Sequence, residues 1–101
     1  MAQRLDLQAT LVNLLGSGNV YFQPPPSLKM QYPCIVYNRE DAITDFAGNK
    51  PYSYRKQYLV TVIDSNPDSL IPDKVAALPL CVFDRFYTAN NLNHDVYKIF
   101  F

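Results

Sequence analysis

Residues 52–64 constrain the fold more than any other part of the chain. Read as a strand, they place Tyr54, Tyr58, Val60 and Val62 on one face, with Lys56 between them. Arg55, Gln57, Leu59, Thr61 and Ile63 fall on the other. The first half has one solvated face. The second half, residues 59–63, is apolar on both faces, which is the pattern of a central strand. A central strand needs partners on both edges, and the rest of the chain must supply them.

With 101 residues, 49% of them hydrophobic and 18% charged, the chain can bury one core. Split in two, each part would fall near the size at which a core alone rarely suffices. Eight Tyr and six Phe with no Trp suit strands, where aromatic side chains pack on a pleated surface.

Residues 3–15 predict a helix, because Leu7, Leu11, Leu14 and Leu15 recur on one helical face. Gln3, Arg4, Asp6, Gln8, Thr10 and Asn13 fill most of the other side, and Gly16 stands where a helix ends. Val20-Tyr21-Phe22 is a short strand candidate, stopped by Pro24, Pro25 and Pro26. Three prolines lack amide donors and favour an extended conformation, so they suit a sheet edge, a surface arm or a stiff connector. After Tyr32-Pro33 a second strand runs from Cys34 to Asn38. Residues 39–51 are polar and turn-rich and predict a long loop, a kind of segment that tends to be functional or mobile. Residues 65–69, Ser-Asn-Pro-Asp-Ser, signal a turn and a helix start somewhere between Pro67 and Ile71. Ile71, Val75 and Leu78 carry that helix to about Leu78; Pro72 must lie in its first turn and Pro79 stops it. Residues 80–87 predict a fourth strand, 88–93 a turn, and 94–101 a fifth strand with Tyr97, Ile99 and Phe101 on one face. The expected class is α+β, in the order α-β-β-β-α-β-β, with a mostly antiparallel sheet and the helices on one face.

Little chemistry is legible. His94, the single histidine, neighbours Asp95, but adjacent strand residues point to opposite faces and cannot form a catalytic pair. Cys34 and Cys81 read as buried reduced thiols, with a disulfide or a metal pair as the alternatives. Cys34, Cys81 and His94 have no zinc spacing, and Gly16-Ser17-Gly18 follows a helix where a dinucleotide turn would precede one. Glu40, Asp41 and Asp45 cluster without the spacing of a calcium loop. The residues therefore predict no catalytic group, no cofactor and no metal. Nine basic and nine acidic residues cancel, which disfavours nucleic acid as a tight direct partner and removes self-repulsion. No apolar run approaches the ~20 residues that span a bilayer, and the first residues do not read as a signal peptide, so synthesis and folding in the cytoplasm are expected.

What remains is surface. Interfaces enrich Tyr, Phe and Arg, and open sheet edges pair with other chains, although any single Tyr can equally belong to the domain's own core. The expected contact residues are Arg39, Glu40, Asp41, Asp45, Phe46, Asn49 and Lys50 of the loop, then Tyr52 and Tyr54, and the prolines Pro24, Pro25 and Pro26.

Four fragments carry a family likeness: residues 19–26, Asn-Val-Tyr-Phe-Gln-Pro-Pro-Pro; residues 32–37, Tyr-Pro-Cys-Ile-Val-Tyr; residues 58–64 with 66–69; and residues 86–97. Together they resemble the small tail-completion proteins of long-tailed bacteriophages, often labelled minor capsid or tail terminator proteins. The likeness spans nearly the whole chain and rests on the combined pattern, since no fragment is a catalytic signature. It implies a virion protein made in the host cytoplasm. Such a protein forms a ring, a hexamer in this family, on the head-proximal end of the tail tube. The ring stops tube growth and meets the head-tail connector or stopper protein, while DNA passes through the lumen without specific contacts. A neighbouring neck part, a head-completion or stopper protein, is the alternative. A small enzyme or ligand-binding domain using Cys34, Cys81 or His94 is a third reading.

Overall fold

The computed structural model describes residues 4–47 and 50–101, with the side chains of residues 4–40 and 56–101. The elements are α1 (Arg4–Leu15), β1 (Val20–Phe22), β2 (Cys34–Ala47), β3 (Lys50–Asp64), α2 (Ile71–Ala76), β4 (Cys81–Ala89) and β5 (Leu92–Phe100). The fold is α+β, as the hydrophobic periods require. One five-stranded sheet has the order β1-β2-β3-β5-β4, antiparallel throughout except for the parallel β1–β2 pair. Strand β3 is central, flanked by β2 and β5 over its second half. That is where the sequence turns apolar on both faces.

Register sets the faces. Tyr37 pairs with Val60 and Val60 with Tyr97, while Tyr58 pairs with Ile99, and side chains paired across strands share a side. This face carries both helices. Leu7 and Leu11 of α1 and Val75 of α2 join Ile35, Tyr37, Tyr58, Val60, Val62, Tyr97 and Ile99 in one buried cluster. Each such side chain contributes roughly 1.5–3 kcal/mol on burial, and the cluster orders the domain. Cys34, Ile63 and Val96 are buried outside that cluster, in register with residues of the opposite face.

A polar clasp ties α1 to the sheet edge. The Tyr37 hydroxyl donates to Gln8 Oε1 and accepts from Arg4 Nη1 at 3.1 Å. The Arg4 guanidinium lies 4.5 Å from the centre of the Phe22 ring, itself 4.9 Å from Tyr37. Tyr37→Phe keeps the packing and deletes the hydroxyl. We expect about 1 kcal/mol of lost stability, since Gln8 and Arg4 are half-buried and can turn to water. Urea denaturation checks it; an unchanged midpoint would mean the clasp contributes nothing.

Local signals explain the second helix and the last hairpin. The Asp64 carboxylate accepts from the Asn66 amide and the Asn66 side chain accepts from the Asp68 amide, both at 3.0 Å; Ser69 Oγ accepts from Ile71 N–H. These side chains hold the chain in turns until Ile71, and Pro72 then lies in the first helical turn. The helix ends at Ala76, two residues before the expected Leu78. Strands β4 and β5 close at Asn90 and Asn91, both at positive φ (53° and 62°), a two-residue turn that asparagine tolerates. Strand pairing thus takes in Thr88, Ala89, Leu92 and Asn93, which the sequence placed in the turn.

The main correction concerns residues 39–51. They are not a loop: β2 continues to Ala47 and β3 begins at Lys50. Ala42 pairs with Lys56, Ile43 with Arg55, Thr44 with Tyr54, and Ala47 with Lys50. The polar composition misled, because main-chain pairing does not depend on side-chain polarity. The backbone ladder alone defines these strands. Gly48 and Asn49 lie outside the described residues.

Candidate functional site

Beyond the body of the sheet, β2 and β3 form a two-stranded arm. Pairing of β5 with β3 ends at Gln57, and pairing of β1 with β2 ends at Tyr37. From Asp41 to Ala47 the ribbon has no third strand among the described residues. Seven residues at about 3.4 Å each carry it roughly 24 Å. The molecule accordingly measures 50 × 24 × 23 Å. A lone hairpin is marginally stable in water, so a ribbon of this length gains from a partner.

The arm gathers most of the contact residues expected from sequence. Asp41, Asp45 and Phe46 lie on its β2 limb and Lys50, Tyr52 and Tyr54 on its β3 limb, whereas Asn49 lies outside the described residues. Arg39 and Glu40 are exposed at its base; the Arg39 amide donates to Gln23 Oε1, and Glu40 accepts from Gln57 Nε2 at 2.8 Å. Gln23 also donates its own amide to Tyr37 O, so the proline run leaves the sheet beside the arm's base. Pro25 and Pro26 are exposed and Pro24 is half-buried; a turn closes there, with Leu28 N–H bonded to Pro25 O.

The second surface was not among the expected contact residues. Strand β4 forms the outer edge of the sheet, and every residue from Val82 to Ala89 is exposed. Val82, Phe83, Phe86 and Tyr87 remain 56%, 55%, 53% and 44% exposed, more than a solvated edge requires. Tyr87 stacks on His94 with ring centres 4.5 Å apart, and Phe83 meets Tyr97 edge-on at 5.6 Å. The signal lay in the sequence: residues 80–87 are apolar except for Asp84 and Arg85, and do not alternate. Edge and core strands share that pattern, and only the sheet order separates them. Natural edges are often guarded by charge or by a bulge. Here a register shift falls between Phe83 and Arg85, and Asp84 contacts Arg85 at 3.2 Å.

At the pole opposite the arm lies an acidic cleft of about 420 Å³. Asp64, Asp68, Asp73 and Asp95 line it, with Phe86 and Leu70 alongside. Burial first, then the charge of Asp73, raises the Asp95 pKa above its usual 3.8, while His94 opposes the rise. A carboxylate with a raised pKa favours the fold below its unfolded value and loses that contribution as pH rises through the folded one. Asp95→Asn should therefore flatten the fall in stability as pH rises from about 4 toward neutrality. Thermal melts across that range check this; an unchanged slope would remove Asp95 as its source.

The sequence candidates for chemistry do not converge. His94 pairs with Ile63 and Tyr87, Asp95 with Val62 and Phe86, so they occupy opposite faces as expected. The His94 Nδ1 lies 3.1 Å from Leu92 O. Both cysteines are free, and β3 and β5 stand between their strands. Cys34 is buried as expected, whereas Cys81 is only half-buried because β4 is an edge. Burial, with a further push from Asp64, raises the Cys34 pKa to about 11; burial also raises that of Cys81. Both thiols stay protonated and poorly nucleophilic near neutral pH. Among the described residues, no group of three or more His, Cys, Asp or Glu is arranged to hold a metal ion, and no helix is long and apolar enough to cross a membrane. The sequence matches no protein-family model and no curated protein.

Proposed function

We propose that this chain is a ring-forming virion protein, the tail terminator of a long-tailed bacteriophage. In this reading it caps the head-proximal end of the tail tube, stops tube polymerisation and joins the tail to the head connector. The observation that carries the proposal is the 50 Å shape: a small body ending in an arm that has two strands and no third among the described residues, and bounded by an apolar edge strand. Both features suit association with other chains. Copies of one chain close into a ring only through a head-to-tail contact, and an arm at one end with a receptive edge elsewhere is the asymmetry such a contact needs. The balanced charge suits a lumen through which DNA slides without being held.

Native mass measurement of the purified protein, alone and with tail-tube protein, tests this reading. Rings, or monomers that assemble on tube ends, are the expected result. Monomers that fail to bind tube ends would overturn it. Cross-linking to the head connector, and never to tube protein, would favour the head-completion or stopper alternative.

A further inference from the structure

We propose that the β2–β3 arm of one copy docks along β4 of a second copy, at the pole carrying the acidic cleft. The inference rests on the ring-forming reading above and names the two surfaces that meet. Three observations lead to it.

The first is backbone incompleteness on both sides. Among the described residues, the arm is a ribbon whose edges lack a third strand beyond Gln57, and β4 is an edge paired with β5 alone. Past the shift at Asp84, the register of residues 85–89 with β5 is regular. A ribbon added there would extend the sheet and satisfy main-chain groups of both copies.

The second is polarity. The chain is neutral overall but its charge is distributed along its length. Residues 50–56, the β3 limb of the arm, include Lys50, Arg55 and Lys56 and no acid. The opposite pole presents Asp64, Asp68, Asp73 and Asp95, and no base lines that cleft. Charge thus sets the β3 limb toward the cleft and the β2 limb, with Asp41 and Asp45, away from it. An arm cannot reach the cleft of its own chain, since Lys50 begins β3 at one end and Asp64 ends it at the other. The arm of another copy can supply it.

The third is area. Phe83, Phe86 and Tyr87, each about half exposed, leave roughly 300 Å² of aromatic surface open. A stable interface buries about 800 Å² on each partner. Strand β4 set against another β4 would fall short. An arm laid along β4 also covers the cleft wall, where Leu70 is 67% exposed. In a closed ring each copy makes this contact twice, once giving its arm and once receiving one.

Charge exchange tests the docking by sedimentation, in the presence and absence of tail-tube protein. Asp68→Lys with Asp73→Lys reverses two exposed cleft charges. Lys50→Glu with Arg55→Glu reverses the arm. Each pair should weaken association roughly a hundredfold, and the chain carrying all four substitutions should regain most of it. Val82→Lys and Phe86→Lys, at exposed positions on β4, should each weaken association while circular dichroism stays unchanged. If the wild type forms rings and the cleft variant forms equally stable ones, the docking is overturned and the ring reading stands. A four-substitution chain no better than either pair overturns the docking as well. A wild type that stays monomeric, alone and with tube ends, overturns both.

Discussion

Val60→Asp should yield no folded protein. Val60 is fully buried at the centre of the sheet, paired with Tyr37 on one side and Tyr97 on the other. The main cluster around it comprises, among the described residues, aliphatic side chains and tyrosine rings, with no basic side chain. The substitution loses roughly 2 kcal/mol of apolar burial and must also bury a carboxyl group without a partner. A domain of this size is stable by only about 5–15 kcal/mol, and an unsatisfied buried charge costs several of those or forces protonation. Loss of far-ultraviolet dichroism, or aggregation on expression, is the expected readout. A soluble Val60→Asp protein with native dichroism would mean that β3 is not the central strand.

Shortening the arm should have the opposite profile. Because β2 and β3 pair through the arm, a cut confined to residues 40–50 would strip one strand and leave its partner unmatched. A matched excision removes residues 44–54 and joins Ile43 to Arg55, paired neighbours, through an Asn-Gly turn. The excision keeps all eleven buried residues described for the cluster, from Leu7 to Ile99. The melting temperature should stay within a few degrees of the wild type, whereas ring formation and tube binding should be abolished. An excised protein that unfolds would show that the arm supports the body. One that assembles normally would show that it takes no part in the interface.

The two predictions separate what could and could not be read from the residues alone. The body was legible because burial imposes periods: Leu7 and Leu11 at helical spacing, Tyr58, Val60 and Val62 at strand spacing. The arm was not, because it is defined by main-chain pairing, and Glu40, Asp41 and Asp45 gave it the composition of a loop. The edge strand failed for another reason. Val82, Phe83, Phe86 and Tyr87 have core composition, and what exposes them is that β5 lies between β3 and β4. Strand order is a property of long-range pairing, which local sequence does not encode. The opposite faces of His94 and Asp95 were legible because alternation alone separates neighbours on a strand.

That same insertion of β5 between β3 and β4 also bears on synthesis. Strands β1, β2, β3 and β4 leave the ribosome first, yet β4 has no neighbour and β3 keeps one bare side until residues 92–100 emerge. The nascent chain therefore carries β4 and one side of β3 unpaired until β5 has emerged. It is during this interval, more than in the finished molecule, that premature pairing between chains on one polysome would compete with folding.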